Sequence, residues 1–138
     1  MTDTKDLLED PYEYQKLIGF EIVEWMQDHA KLHLRLAAKH GNRYGIPHGG
    51  VHATLLDTCM GFAGCYTGDR DTPQLAMTLS LTVQYLSRPK GELLIATGTK
   101  TGGGRKTFFA EGHIMDETGE LIAKGTGTFR YRSVGFAR

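Results

Sequence analysis

The sequence predicts an α+β protein in which an antiparallel sheet wraps around one buried helix. Three observations carry this. Residues 49–66 form a long segment that is apolar almost all round, with Asp57 as its only acidic side chain, and a helix of that kind is buried. Strand-like stretches flank it, most plainly where Leu32, Leu34 and Leu36 alternate with Lys31, His33 and Arg35, the period of two of a half-buried strand. The later stretches are long and joined by short turns, which gives an antiparallel meander.

In chain order, Pro11 and Gly19 bracket a short amphipathic helix at 12–18, proline suiting its first turn and glycine its stop. Strands follow at 20–26 and 30–37. A Gly/Pro-rich loop then turns directly into the helix at 49–66, where Gly61, Ala63 and Gly64 permit close packing. Beyond a polar loop at 67–72, strands are expected at 75–86, 92–100, 106–115 and 121–131. Arg88-Pro-Lys-Gly91, Gly102-Gly-Gly104 and Asp116-Glu-Thr-Gly119 supply the turns. No repeat or linker divides residues 1–138, which read as a single domain large enough to build its own core.

Composition narrows the function. The 16 Lys+Arg balance the 16 Asp+Glu, so no global charge points to nucleic acid. There is no apolar run of about 18 residues to span a membrane. The start, Met-Thr-Asp-Thr-Lys-Asp, lacks the apolar core of a signal peptide, so a cytoplasmic location is expected. Cys59 and Cys65 both fall in the predicted helix, separated by roughly 9 Å of rise and about 120° around its axis, so they are expected to be reduced core thiols.

The chemistry concentrates in Asn42-Arg-Tyr-Gly45-Ile-Pro-His48-Gly49-Gly50-Val-His-Ala-Thr-Leu-Leu-Asp57. Glycine lets a ligand approach the main chain closely. The start of a helix carries unpaired N–H donors and a partial positive charge, which suits a carbonyl oxygen becoming negative. Asp57 lies two turns further on among Val51, Ala53, Leu55, Leu56, Cys59 and Met60, where a carboxylate is costly unless it is paired or used. This pattern reads as an acyl-transfer site.

The spacing Asn42-x2-Gly45-x2-His48-Gly49-Gly50-x6-Asp57 resembles the hot-dog-fold acyl-CoA thioesterases of the phenylacetate-degradation (PaaI-like) family. So do Thr78 in the next strand, Tyr85-Leu-Ser-Arg-Pro89 at its end, the turn Gly104 to Lys106, and Asp116-x2-Gly119-x-Leu121-x-Ala123. The resemblance covers nearly all of the chain after residue 12. It implies a hot-dog fold, a homodimer built on a continuous sheet, commonly paired again into a homotetramer, and hydrolysis of a coenzyme A thioester without a cofactor. It assigns Gly49 as the backbone donor that polarises the thioester carbonyl and Asp57 as nucleophile or general base. It has Asn42 and His48 hold the loop and the attacking water or carbonyl. Some relatives carry a hydroxyl one helical turn after the carboxylate, where this chain has Gly61; others carry it on the following strand, which Thr78 fits.

Other residues are weighed against plainer readings. His48 and His52 have the i, i+4 spacing of zinc ligands, but Gly49 stands where a metalloprotease needs Glu and no third ligand is evident, so no metal is assigned. The run Gly102-Gly-Gly-Arg105-Lys106-Thr107 is not a Walker loop, since an arginine intervenes before the lysine and a strand follows. It is a hairpin turn whose Arg105 and Lys106 are candidates to hold the phosphates of coenzyme A, with Arg88 a weaker one. Gly50 joins the substrate-binding set. Tyr44 ranks ahead of Trp25 and Phe20 as an aromatic against the acyl group, because it sits in the motif loop. Two rival functions share the fold: an acyl-thioester hydratase or dehydratase, which would draw an acid or base from His48, and a non-catalytic acyl-CoA-binding module.

Overall fold

A computed structural model describes residues 3–132. Two short helices, α1 (Thr4–Leu7) and α2 (Glu13–Ile18), precede a hairpin of β1 (Glu21–Met26) and β2 (His29–Arg35). A 3-10 turn at Ala38–His40 and the motif loop lead into α3 (Gly49–Gly64). The chain then runs through β3 (Leu75–Tyr85), β4 (Leu93–Gly103), β5 (Thr107–Asp116) and β6 (Leu121–Arg132). All six strands form one antiparallel sheet in the order β1-β2-β4-β5-β6-β3, with α3 packed across its inner face. Among the described residues, no helix is long and apolar enough to cross a membrane.

The helix and sheet meet through side chains repeating at i, i+4. Val51, Leu55, Leu56, Cys59, Met60 and Ala63 of α3 are buried against Leu32, Leu34, Leu94, Ala96, Ile114 and the stacked rings of Phe108 and Phe129. Such burial removes apolar surface from water and is the main driving force for the fold. Gly98 sets how close the layers come: a Cβ there would lie 2.5 Å from the backbone carbonyl of Cys59, so any side chain would lift the helix off the sheet. Both cysteines are free, and burial pushes the Cys59 thiol up to about 12 and the Cys65 thiol up to about 11, leaving them protonated and inert.

One feature differs from the sequence reading. The helix was expected to be buried all round, yet Ala53, Thr54, Asp57, Thr58, Gly61 and Phe62 are only half-buried. One sheet can cover only one side of a helix. The opposite side is partly covered by the N-terminal segment, from which the Tyr14 hydroxyl lies 2.8 Å from Thr54 Oγ1.

β3 carries an irregularity of its own: pairing with β6 shifts between Thr78 and Ser80, making Leu79 a β-bulge. Read straight, the strand alternates Leu75, Met77, Leu79, Leu81, Val83 and Tyr85 with small and polar residues, and the whole apolar set would face the core. The bulge reverses the alternation. Ala76 and Thr78 face α3 before it and Leu81 and Val83 after it, while Leu75, Met77 and Leu79 are 44%, 47% and 52% exposed. β3 is also an edge strand of eleven residues with one side unpaired.

One buried carboxylate holds the far end of the sheet. Asp116 Oδ2 accepts from the backbone N–H groups of Lys90 and Gly91 at 2.7 and 2.8 Å. Its Oδ1 accepts from the Thr118 N–H and hydroxyl and from the Glu120 N–H, at 2.9, 2.6 and 3.2 Å. These bonds, the Thr118 hydroxyl foremost, hold its pKa well below the ordinary value of 3.8. A carboxyl depressed in the folded state stabilises it fully above its unfolded value and loses that contribution as pH falls through the folded one. Asp116→Asn places an NH2 against at least two N–H donors whichever way the amide turns. It should lower the melting temperature at pH 7 by several degrees and flatten the loss of stability below about pH 4, as followed by circular dichroism against pH. An unchanged acid limb in the variant would show that Asp116 does not control it.

Candidate active site

The motif loop is tied by its own side chains. Asn42 Oδ1 accepts from the backbone N–H of Tyr44 at 2.8 Å and of Ile46 at 3.3 Å, while Asn42 N–H reaches Ile46 O at 2.7 Å. Below the loop, buried His40 accepts from Ala37 N–H through Nδ1 and bonds Ile18 O through Nε2 at 2.7 Å, and its carbonyl takes the N–H of His48 at 2.8 Å. The loop therefore delivers His48 to a fixed position.

His48 is the N-cap of α3. Its Nδ1 accepts from Gly50 N–H at 2.8 Å, and its carbonyl accepts from Val51 N–H at 2.9 Å. A ring nitrogen that accepts is unprotonated, so a neutral His48 carries its hydrogen on Nε2. The cap leaves a specific vacancy in the pattern of bonds. Gly50 N–H is satisfied by the ring, whereas Gly49 N–H has no hydrogen-bond partner among the described residues. The Gly49 amide is thus free to meet a ligand, at the positive end of the helix dipole, and the Gly50 amide is not.

Asp57 sits two turns along on the half-open face of α3, and Thr78 Oγ1 of β3 donates to its Oδ1 at 2.6 Å. A short hydroxyl–carboxylate bond holds one oxygen and leaves the other free to act. The structure thus brings Asp57 and Thr78 together, through the parity change at Leu79. The pair opens onto a cleft of about 990 Å³ between the N-terminal segment, β1, α3 and the start of β3. Tyr12, Phe20, Trp25, Phe62 and Phe129 line it with Cys65 and Gly61. Trp25 is pinned there by an indole N–H bond to Phe62 O at 2.8 Å and by edge contacts with Phe62 and Tyr66.

Other candidates lie elsewhere. Tyr44 is 78% exposed at the loop tip and is not part of the cleft wall, which Trp25 and Phe20 do line; sequence position within the motif is a poor guide to facing direction. Arg105 and Lys106 are exposed in the β4–β5 turn, just beyond the cross-strand row Phe108, Phe129, Thr78, and so lie at the Asp57 end of the sheet. Arg88 is past the opposite end of β3, ten residues and roughly 30 Å of strand from Thr78. Nδ1 of His48 and of His52 is each engaged in a bond to the loop or helix, and no three potential metal ligands cluster among the described residues.

Comparison with known proteins places this geometry. The thioesterase superfamily model matches residues 44–123, from the motif loop to the start of β6. The chain belongs to the thioesterase superfamily. Mouse acyl-coenzyme A thioesterase 13 is 32% identical over 97 residues, covering 69% of this chain and 67% of that protein. A conserved protein of Pseudomonas aeruginosa superposes with a TM-score of 0.81 at 25% identity, over 95% of this chain and 100% of its own. The Escherichia coli PaaI protein of the phenylacetic acid degradation operon does so with a TM-score of 0.77 at 20% identity, over 88% and 86%. The six-stranded sheet with one long helix is the hot-dog fold, and this thioesterase is a thioester hydrolase.

Proposed function

We propose that the enzyme hydrolyses acyl-coenzyme A thioesters carrying aromatic or medium-chain acyl groups, at a site shared between two subunits. The observation that supports this most strongly is the Thr78–Asp57 pair of 2.6 Å at the mouth of an aromatic-lined cleft, on the same helix as an unbonded Gly49 N–H. Asp57 attacks the thioester carbonyl or takes the proton of a water that does. Either route drives the carbonyl electrons onto oxygen, and the oxyanion then collapses to expel the coenzyme A thiolate; where Asp57 itself attacks, water then cleaves the resulting mixed anhydride to release the acid and restore the carboxylate. Gly49 of the partner subunit donates its N–H to that oxyanion. Thr78 holds and aims Asp57, and Asn42 and His48 hold the donor loop.

The partner joins through the free edge of β3, which continues the sheet. The family resemblance extends this dimer to a homotetramer. Within one chain, Arg105 and Lys106 lie at the Asp57 end and Arg88 at the other, so a two-fold dimer is the arrangement in which all three can serve one coenzyme A.

Thiol release across a panel of acyl-CoA esters tests the reading, with arylacetyl and medium-chain esters expected to outpace acetyl-CoA at least tenfold in kcat/KM. Arg105→Ala with Lys106→Ala should raise KM for the CoA esters about tenfold with little change in kcat, and should have no such effect on acyl-N-acetylcysteamine, which carries no phosphates. Equal losses on both substrates would remove the phosphate-binding role. Hydrated product without free thiol would favour the hydratase instead.

A further inference from the structure

We infer that Tyr85 is a positioning residue for the oxyanion donor, and that it acts with His52 to clamp the peptides on both sides of the Gly49 Cα. This rests on the reading of Gly49 as that donor. Tyr85 Oη donates to Gly49 O at 2.8 Å, and its ring packs on the side of Gly49 where a Cβ would point. A Cβ at residue 49 would come within 3.2 Å of the phenol oxygen and 3.3 Å of two ring carbons, so the space a side chain would need is filled by Tyr85. The same ring meets His52 edge-on, with centroids 5.7 Å apart. His52 Nδ1 lies 3.2 Å from His48 O, and burial lowers the basicity of this ring, so it is neutral with its hydrogen on Nδ1 facing that carbonyl.

The two contacts act on adjacent peptides. His48 O belongs to the peptide unit that carries the Gly49 N–H, and Gly49 O belongs to the next. His52 and Val51 N–H both donate to the first carbonyl, which fixes its plane and polarises its N–H into a stronger donor. Tyr85 fixes the second. The amide left free for the oxyanion therefore points in one direction before substrate arrives, the condition under which a dipole stabilises developing charge without reorganising.

The placement depends on the bulge. Thr78 and Tyr85 are seven residues apart, an odd number, so a regular strand would send them to opposite faces. The extra residue at Leu79 puts both hydroxyls on the α3 side, one bonded to Asp57 and the other to Gly49. One strand thereby orients the attacking half and the oxyanion half of the chemistry.

The test compares Tyr85→Phe, which keeps the ring and loses the O–H, with Tyr85→Ala, which loses both, in the full-length oligomer. Tyr85→Phe should lower kcat about threefold to tenfold with KM and the affinity for free coenzyme A within about twofold. Tyr85→Ala should lower kcat further. Inhibition by a trifluoromethyl-ketone analogue of the acyl-CoA, whose hydrated or adduct form presents the tetrahedral oxygen, should weaken by the same factor as kcat. Wild-type kcat in Tyr85→Phe, or a fall in kcat with inhibition by the analogue unchanged, would overturn the assignment. Asp57→Ala measured alongside separates the two levels of inference. An active Asp57→Ala removes the site itself, whereas an inactive one beside a fully active Tyr85→Phe removes only the role of Tyr85.

Discussion

Asp57→Ala should lower kcat for acyl-CoA hydrolysis at least a hundredfold, while affinity for coenzyme A stays within about twofold. The carboxylate is held by a single short bond from Thr78 and faces the cleft, and the cationic side chains suited to phosphates lie in the turn beyond the sheet end. Removing it deletes the group that attacks or deprotonates and leaves the nucleotide contacts in place. A hundredfold loss corresponds to about 2.7 kcal/mol of transition-state stabilisation, within reach of one catalytic group. Asp57→Asn keeps the size of the side chain and its bond to Thr78, so it should retain low turnover by positioning water and be the better variant for trapping a bound ester. Stopped thiol release with parallel calorimetry of coenzyme A decides the matter. A loss of kcat below about tenfold in Asp57→Ala would be too small for a residue that performs the chemistry.

The fold was legible where one periodicity ran unbroken. Leu32 and Leu34 are essentially inaccessible and their polar neighbours face out, as a period of two requires. The helix begins at Gly49 as expected, where the Gly/Pro-rich loop gives way to an unbroken apolar run. The alternation in β3 hides its bulge. An apolar residue at every odd position from 75 to 85 looks like one uninterrupted face, and nothing in residue types marks Leu79 as the extra one. Read straight, Thr78 would face away from Asp57. It was singled out because the family resemblance offers a hydroxyl on this strand, a clue that pattern alone does not contain.

Illegibility of another kind affected α3 and the aromatics. A helix apolar on all sides says that both sides will be covered without saying by what, and in one chain the side bearing Asp57 and Gly61 stays half-open. Tyr44 drew attention by lying inside the motif, whereas the cleft is walled by Trp25 and Phe20 from a strand distant in sequence. Tyr85 stood in the quoted motif all along, but its bond to Gly49 spans 36 residues and follows from how β3 crosses the start of α3. Loops tied by short-range bonds, like Asn42 to Tyr44 and Ile46, are readable; contacts set by the crossing of two elements are not.

Mixing two inactive variants should restore about a quarter of wild-type activity. Gly49 and Asp57 are eight residues apart on one helix, which separates them by about 12 Å along its axis, whereas a reacting carbonyl must sit about 3 Å from both its donor and its attacking group. A straight helix cannot bring them together, so the proposed site combines Asp57 of one subunit with Gly49 of the other, and a two-fold axis with antiparallel helices would make two such sites. Gly49→Pro deletes the N–H at a position where proline suits the first helical turn, and His48 already has the extended backbone that a following proline requires. The new ring presses on Tyr85, which Gly49→Ala controls for, since alanine brings the same Cβ but keeps the N–H. Homodimers of Gly49→Pro or of Asp57→Ala should each be nearly inactive, and Gly49→Ala should keep far more activity than Gly49→Pro. In a mixed dimer one site carries both defects and the other neither. Co-refolding equal amounts makes half of the dimers mixed, each with one of its two sites intact, so about a quarter of all sites recover. Differently tagged subunits allow the mixed dimer to be isolated, where the expected activity is half that of the wild type. Isolated, folded mixed dimers without activity would show that each site is built within one chain, and that α3 must bend or the oxyanion donor be another amide.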